Sequence, residues 1–212
     1  MKGLAKAIGR GLCRFLALPA YLSVRFQELF LDADKAFHGG SQAVAGIPGV
    51  LGEYVRREFY RLTLASCSDD CCISYGTILS KRGARIGRGV YIGTGCTIGL
   101  VTIEDDVLVA SNVDILSGSG QHRFADLDRP VREQGGEFTR VTIGADTWIG
   151  NRVVVMADIG ARCVVGAGSV VTKPIPERSL AVGAPAKVVG TRGDSAGDAQ
   201  GRGESESPGG GA

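Results

Sequence analysis

Along the middle of the chain an aliphatic residue followed by glycine returns every six positions, at Ile86-Gly87, Ile92-Gly93 and Ile98-Gly99. Ile103, Val109 and Ile115 hold the aliphatic place in the next rungs, and Ile143-Gly144, Ile149-Gly150 and Val155 resume the step. Ile159-Gly160, Val165-Gly166 and Val171 continue it in a shifted frame. This period matches neither a helix of about 3.6 residues per turn nor an alternating strand. It fits a short strand and a turn, repeated as the rungs of a solenoid. The aliphatic side chain points into the core, and the glycine after it relieves crowding where the chain bends. One rung buries too little apolar surface to stand alone, so stability must come from stacking.

A different pattern precedes the repeats. Lys2, Lys6, Arg10 and Arg14 recur every four positions, which on a helix gathers them on one face with Leu4, Ile8, Leu12, Phe15 and Leu16 opposite. Pro19 predicts the end of that helix or a kink in it. Leu22, Phe26, Leu29 and Phe30 then form the stripe of a second helix, and Leu51, Val55, Phe59 and Leu62 that of a third. Residues 1–31 carry five basic side chains and one acid, Glu28, so this amphipathic segment suits an anionic membrane surface; the alternative is packing on the main domain or on a neighbouring subunit. The uncharged run 15–24 is about half a membrane crossing in length. From Thr191 onward there are seven glycines and no large apolar side chain, which predicts a disordered tail. The chain therefore divides into a helical region 1–72, a repeat region 73–190 and a tail 191–212.

Composition narrows the classes. With 33 glycines but only seven prolines, and no glycine at every third place, collagen is excluded, and a hydrophobic share of 44% excludes bulk disorder. A net charge of +2 gives no general pull toward nucleic acid, and no nucleic-acid partner is expected. The six cysteines, Cys13, Cys67, Cys71, Cys72, Cys96 and Cys163, lack the paired arms of a zinc ribbon and read as buried reduced thiols. No cleavable leader is evident, so a cytoplasmic protein is expected, peripheral on the membrane if residues 1–31 bind it.

The stretch VTIGADTWIGNRVVVMADIGARCVVGAGSVVTKPIPERSLAVGAPAKVVG, residues 141–190, together with the rungs before it, resembles the hexapeptide-repeat acyltransferases. Within them it is most similar to the galactoside and maltose O-acetyltransferases and the capsular and exopolysaccharide O-acetyltransferases. The resemblance covers roughly residues 73–190. It implies a mainly β fold, a left-handed parallel β-helix, here preceded by amphipathic helices. It also implies a homotrimer with active sites between neighbouring subunits, acetyl-CoA as acyl donor, and no metal. A γ-type carbonic anhydrase needs three histidines for its zinc, whereas this chain has only His38 and His122. The N-terminal region is too short for the helical domain of serine acetyltransferase.

The rungs stop at Leu116 and restart at Val141, leaving an external loop, 117–140, that contains His122. Acyl transfer to a hydroxyl needs a group that is neutral near pH 7 and takes the hydroxyl proton, which an imidazole does. The resemblance makes His122 that base; read by itself, it is a solvent-exposed loop histidine. Asp126 and Asp128 are the nearby carboxylates that could orient its ring. The resemblance also assigns substrate binding to Asn112 and Trp148, against an asparagine stacked at a turn and a tryptophan packed between subunits. It assigns cofactor contacts to Asn151, Ala167, Thr172, Lys173 and Lys187, against ordinary solvated charge for the two lysines. Between Val155 and Ile159 the chain is about two residues shorter than its relatives. The expected reaction is O-acetylation of a sugar or polysaccharide-precursor hydroxyl. Acylation of an amino or nucleotide sugar, and a β-helix scaffold without catalysis, are the alternatives.

Overall fold

In the computed structural model, which describes residues 2–193, each hexapeptide becomes a strand of two or three residues followed by a tight turn. Sixteen strands, numbered in chain order, form three faces. Face A stacks β1 (Ser66–Cys67), β4 (Arg85–Ile86), β7 (Val101–Ile103) and β10 (Val141–Ile143), and isolated bridges carry it on through Ile159 and Ile175. Face B stacks β2 (Cys72–Ile73), β5 (Tyr91–Ile92), β8 (Leu108–Val109), β11 (Trp148–Ile149), β13 (Val164–Val165) and β15 (Ser179–Val182). An antiparallel strand, β16 (Lys187–Thr191), closes that face. Face C holds β3 (Ile78–Leu79), β6 (Thr97–Ile98), β9 (Asp114–Ile115), β12 (Val154–Val155) and β14 (Val170–Val171).

The repeat explains this stacking directly. Ile73, Ile92, Val109, Ile149 and Val165 lie in register down the inside of face B, each no more than 1% exposed. Each contributes about 1.5–3 kcal/mol by leaving water. The glycine that follows the aliphatic residue lies where two coils touch. A Cβ on Gly144 would come within 2.3 Å of the Ala161 nitrogen in the next coil. The frame shift after Val155 shortens the path back to face A, and there the strand is reduced to the single bridge at Ile159.

Three helices cover the first coil: α1 (Lys2–Gln27), α2 (Ala33–Ala45) and α3 (Gly49–Thr63). Of the two outcomes expected at Pro19, an end or a kink, the helix does not end there and runs on to Gln27. A proline removes only one donor, here to the Phe15 carbonyl, and both residues lie on the exposed side of α1. Leu22 and Phe26 therefore belong to α1 and not to a second helix. The true second helix starts after Asp32, whose carboxylate accepts from the Asp34 and Lys35 amides at 3.0 and 3.3 Å. The packing side of α1 is made of small residues, Cys13, Ala17 and Val24, while Leu12, Phe15, Leu16, Leu22 and Phe26 remain exposed.

Arg56 joins the helices to the solenoid. Its fully buried side chain donates from Nε to the Ile73 carbonyl at 2.8 Å and from Nη1 to the Ile47 carbonyl at 2.6 Å. The carbonyls of Val44 and Ala45, at the C-terminal end of α2, lie 3.4 and 3.5 Å from the same Nη1. Burial lowers the pKa of this guanidinium. The strands begin at Ser66, earlier than residue 73, and β16 runs to Thr191, with Arg192 donating to the Asp146 carbonyl. The remainder of the expected tail, residues 194–212, lies outside the described residues.

Candidate active site

The loop 117–140 leaves the solenoid between face C and face A and folds back on itself as an arm. Backbone amides of Thr139, Glu137 and Arg123 donate to the carbonyls of Ser117, Gly120 and Gly135 at 3.0, 2.8 and 2.9 Å. At the tip, Gln134 clamps the turn: its Oε1 accepts from the Asp126 amide at 3.0 Å, and its Nε2 donates to the carbonyls of Asp126 and Arg129 at 2.7 and 2.8 Å. At the base, Lys81 places Nζ 4.0 Å from the centre of the Phe138 ring and 3.0 Å from the Asp34 carboxylate. Arg140 donates to the carbonyls of Gly83 and Val101 at 2.9 and 3.0 Å, fixing the return to face A. The arm is thus shaped by polar bonds while Phe124 and Leu127 stand exposed on it.

His122 is exposed on this arm, and its backbone is held from behind. A Cβ on Gly136 would lie 1.9 Å from the Gln121 oxygen and 2.8 Å from the His122 nitrogen, so only glycine lets the two limbs of the arm come this close. Among the described residues the imidazole has no hydrogen-bond partner. Asp126 is committed to the tip, where its Oδ1 accepts from the Asp128 amide at 3.0 Å. Neither carboxylate is bonded to His122 in this chain.

The remaining candidates fall into two columns, one on each side of face C. At the corner between faces B and C, Asn112, Asn151 and Ala167 stack in successive coils. Asn151 Oδ1 accepts from the Ser111 amide at 2.9 Å, and the Gly168 amide donates to the Asn151 carbonyl at 2.8 Å. Asn112 has φ +57° and sets its Oδ1 over Gly95, so it also serves as a stacked turn residue. At the corner between faces C and A, Thr172 and Lys173 follow β14 below the level from which the arm leaves, and both are exposed. Lys187 is exposed at the start of β16. Trp148 lies on face B between Leu108 and Val164, beside a cavity of about 290 Å³. No described cavity contains both His122 and Asn112; within one chain they flank face C and do not meet.

Between the two columns lies a cleft of about 410 Å³ against face C and the root of the arm, lined by Ser80, Thr97, Asp114, Ser117, Gln121 and Val154. Asp114 and Gln121 are not among the residues expected at the site from sequence. The available signal was a carboxylate at the outward place of a two-residue strand, where other strands of face C carry Ile, Thr or Val. The lining is mostly apolar, with Ile115, Leu116 and Val154, and its polar points are the Asp114 carboxylate and a few hydroxyls, of which Ser117 already accepts from the Leu100 amide at 2.8 Å.

A sequence profile described as the hexapeptide repeat of succinyl-transferase matches residues 83–117 and 140–173, the coils on either side of the arm. A probable acetyltransferase of Mycobacterium tuberculosis, Rv3034c, is 41% identical over 122 residues, which is 55% of this chain and 40% of that protein. The galactoside O-acetyltransferase of Escherichia coli is 37% identical over 123 residues, 55% of each chain. The chain thus spans about half the length of these relatives. In fold it is similar to a hexapeptide-repeat acetyltransferase of Vibrio cholerae complexed with acetyl coenzyme A, with a TM-score of 0.64 at 24% identity over 76% of this chain and 88% of that one. Its repeat region is a hexapeptide-repeat β-solenoid, of the kind found in the acetyltransferases it resembles in both sequence and fold.

Proposed function

We propose that this protein is an acetyl-CoA-dependent O-acetyltransferase acting on a hydroxyl of a sugar or of a polysaccharide precursor. The observation that carries this reading is His122, presented on a braced arm that interrupts a solenoid shared with acetyltransferases. The imidazole takes the proton of the acceptor hydroxyl as its oxygen attacks the thioester carbonyl. A backbone amide facing the tetrahedral oxyanion stabilises it. When the intermediate collapses, the C–S bond breaks, the imidazolium returns its proton to the departing thiolate, and the products are an acetyl ester and free CoA. Asn151, Ala167 and Thr172 line the path of the pantetheine arm, and Lys173 and Lys187 meet the phosphates. Asn112 and Trp148 contact the acceptor. No metal takes part.

Two surfaces extend this reading. Tyr91, Leu108 and Trp148 stack in register on the outside of face B, each 41–53% exposed, and this apolar ladder supports a homotrimer whose active sites form between neighbours. That arrangement also accounts for two columns of candidates that do not meet within one chain. The exposed ridge Leu12, Phe15, Leu16, Leu22 and Phe26, beside Arg14 and Arg25 on a helix where basic residues outnumber acids, supports peripheral binding to an anionic membrane on its cytoplasmic face. No described helix is long and apolar enough to cross a membrane.

The test is calorimetric titration with acetyl-CoA and CoA, followed by thiol-release assays on sugar and amino-sugar acceptors. Binding near one site per chain is expected. His122→Ala should lower turnover on the best acceptor about 10²–10⁴-fold with cofactor affinity retained. A folded protein that binds neither ligand is a scaffold, and a variant with full activity removes His122 as the base.

A further inference from the structure

The turn Cys67-Ser68-Asp69-Asp70-Cys71, at the corner between faces A and B of the first coil, brings two thiols together. The Sγ atoms of Cys67 and Cys71 are 3.7 Å apart, and the Ser68 carbonyl faces both, at 3.7 Å from Cys67 and 3.3 Å from Cys71. Cys71 is only 5% exposed, but a cavity of about 270 Å³ between the coil and α3 opens onto it, walled by Glu53, Tyr54, Arg57 and Tyr91. The Arg57 guanidinium lies 4.7 Å from the centre of the Tyr54 ring, and its buried Nε has no hydrogen-bond partner. That Nε lies 4.0 Å from the Glu58 carboxylate, and Glu53 and Asp70 also line the cavity, so the approach of the two sulfurs, and not a free positive charge, sets the pair apart. The S–H of Cys67, and after it the charges of Arg57 and Arg61, hold the Cys71 thiol below its ordinary pKa; burial raises those of Cys13, Cys96 and Cys163. No group of three metal-ligating side chains converges among the described residues, so the pair is not part of a larger ligand set.

We propose that Cys67 and Cys71 are a redox-active dithiol that a hydroperoxide closes to a disulfide. The Cys71 thiolate attacks one oxygen of the peroxide; the O–O bond breaks, and with hydrogen peroxide one water leaves once the departing oxygen is protonated. Cys71 is then a sulfenic acid. The sulfur of Cys67 displaces its hydroxyl, the S–O bond breaks, and the proton of Cys67 leaves with it as a second water. Two thiols lose two electrons, and one peroxide gains them. The site lies against the helices, at a different corner from the one the His122 arm leaves, and the proposal does not rest on the acyltransferase reading.

Hydrogen peroxide on the full reduced chain, followed by alkylation and mass spectrometry, provides the test. The wild type and Cys72→Ser are expected to lose two alkylatable thiols, restored by dithiothreitol. Cys67→Ser should leave a sulfenic acid on Cys71 that dimedone traps, and Cys71→Ser should leave Cys67 unoxidised at the same dose. Two-thiol loss persisting in Cys67→Ser, a disulfide between chains, or six fully alkylated cysteines after peroxide would each overturn the proposal. Should a serine variant not fold, peptide mapping of the peroxide-treated wild type decides: a Cys67–Cys71 disulfide must be found, and any other pairing, or none, overturns the proposal.

Discussion

Gly136 shows how one residue without a side chain controls another with a reactive one. The Gln121–His122 peptide occupies the space its Cβ would need, so Gly136→Ala must push the two limbs of the arm apart and displace His122. A shift of about 1 Å in a general base costs on the order of 10²-fold in rate. Both residues are exposed, so the melting temperature should stay where it is while kcat/KM falls. Steady-state kinetics beside a thermal melt separates the two effects. Arg56 behaves in the opposite way, because it is buried and has no acidic partner among its hydrogen bonds. Arg56→Met leaves the Ile73 and Ile47 carbonyls without their donor. Urea unfolding should show a loss of about 2–4 kcal/mol. Kinetics measured well below the midpoint should be unchanged, since Arg56 touches none of the candidate site residues.

At the level of elements, the solenoid was legible because its rungs state their period from Ile86-Gly87 to Val165-Gly166, whereas the first coil, from Ser66, has serine in place of the glycine after each strand. The helix α2 was not. It carries two adjacent glycines, Gly39 and Gly40, and its only large buried apolar side chains are Phe37 and Val44, too few to set a period. Tertiary fit decides it: Gly40 lies directly against Val24 and Phe59, and Ser41 accepts from the Leu79 amide at 2.8 Å. Pro19 misled for the related reason that an exposed helix face tolerates a missing hydrogen bond. In the arm, the break in the rungs located His122, but the Gln134 clamp has no periodic signature and no sequence rule anticipates it. The same imbalance makes α1 testable. Its ridge is apolar and exposed while its packing side is small, so Phe15→Glu with Leu22→Glu tests the proposed membrane binding without touching the core. Cosedimentation with anionic vesicles should be lost in the double variant and stability should change by no more than about 0.5 kcal/mol. Equal sedimentation of the variant and the wild type would assign the ridge to another partner.

For the whole molecule the question is why a finished solenoid leaves the outward ladder of face B apolar. Internal stacking fixes the inward residue of each strand, yet it places no demand on the outward one, which the other faces fill with Thr, Arg and Asp as well as aliphatics. On face B the outward places are Cys72, Tyr91, Leu108, Trp148, Val164 and Leu180, six coils with no charge among them. In the proposed cyclic trimer a neighbouring copy covers such a strip, each interface pairing this patch of one subunit with a different patch of the next. Leu108 tests this better than Trp148 because it carries no assigned role in substrate binding. A carboxylate at its centre should cost about 2 kcal/mol or more at each interface, roughly a 30-fold loss of affinity per contact. Sedimentation velocity should then show the wild type as the proposed trimer and Leu108→Asp as a monomer at the same concentration. The second readout matters more. Because His122 and the Asn112 column flank face C in one chain, and the proposed trimer is what would bring them together, the monomer should retain its secondary structure by circular dichroism and yet lose acetyl transfer. A fully active monomer would place the whole site on one chain, and the two columns would then be turn-forming residues of the solenoid.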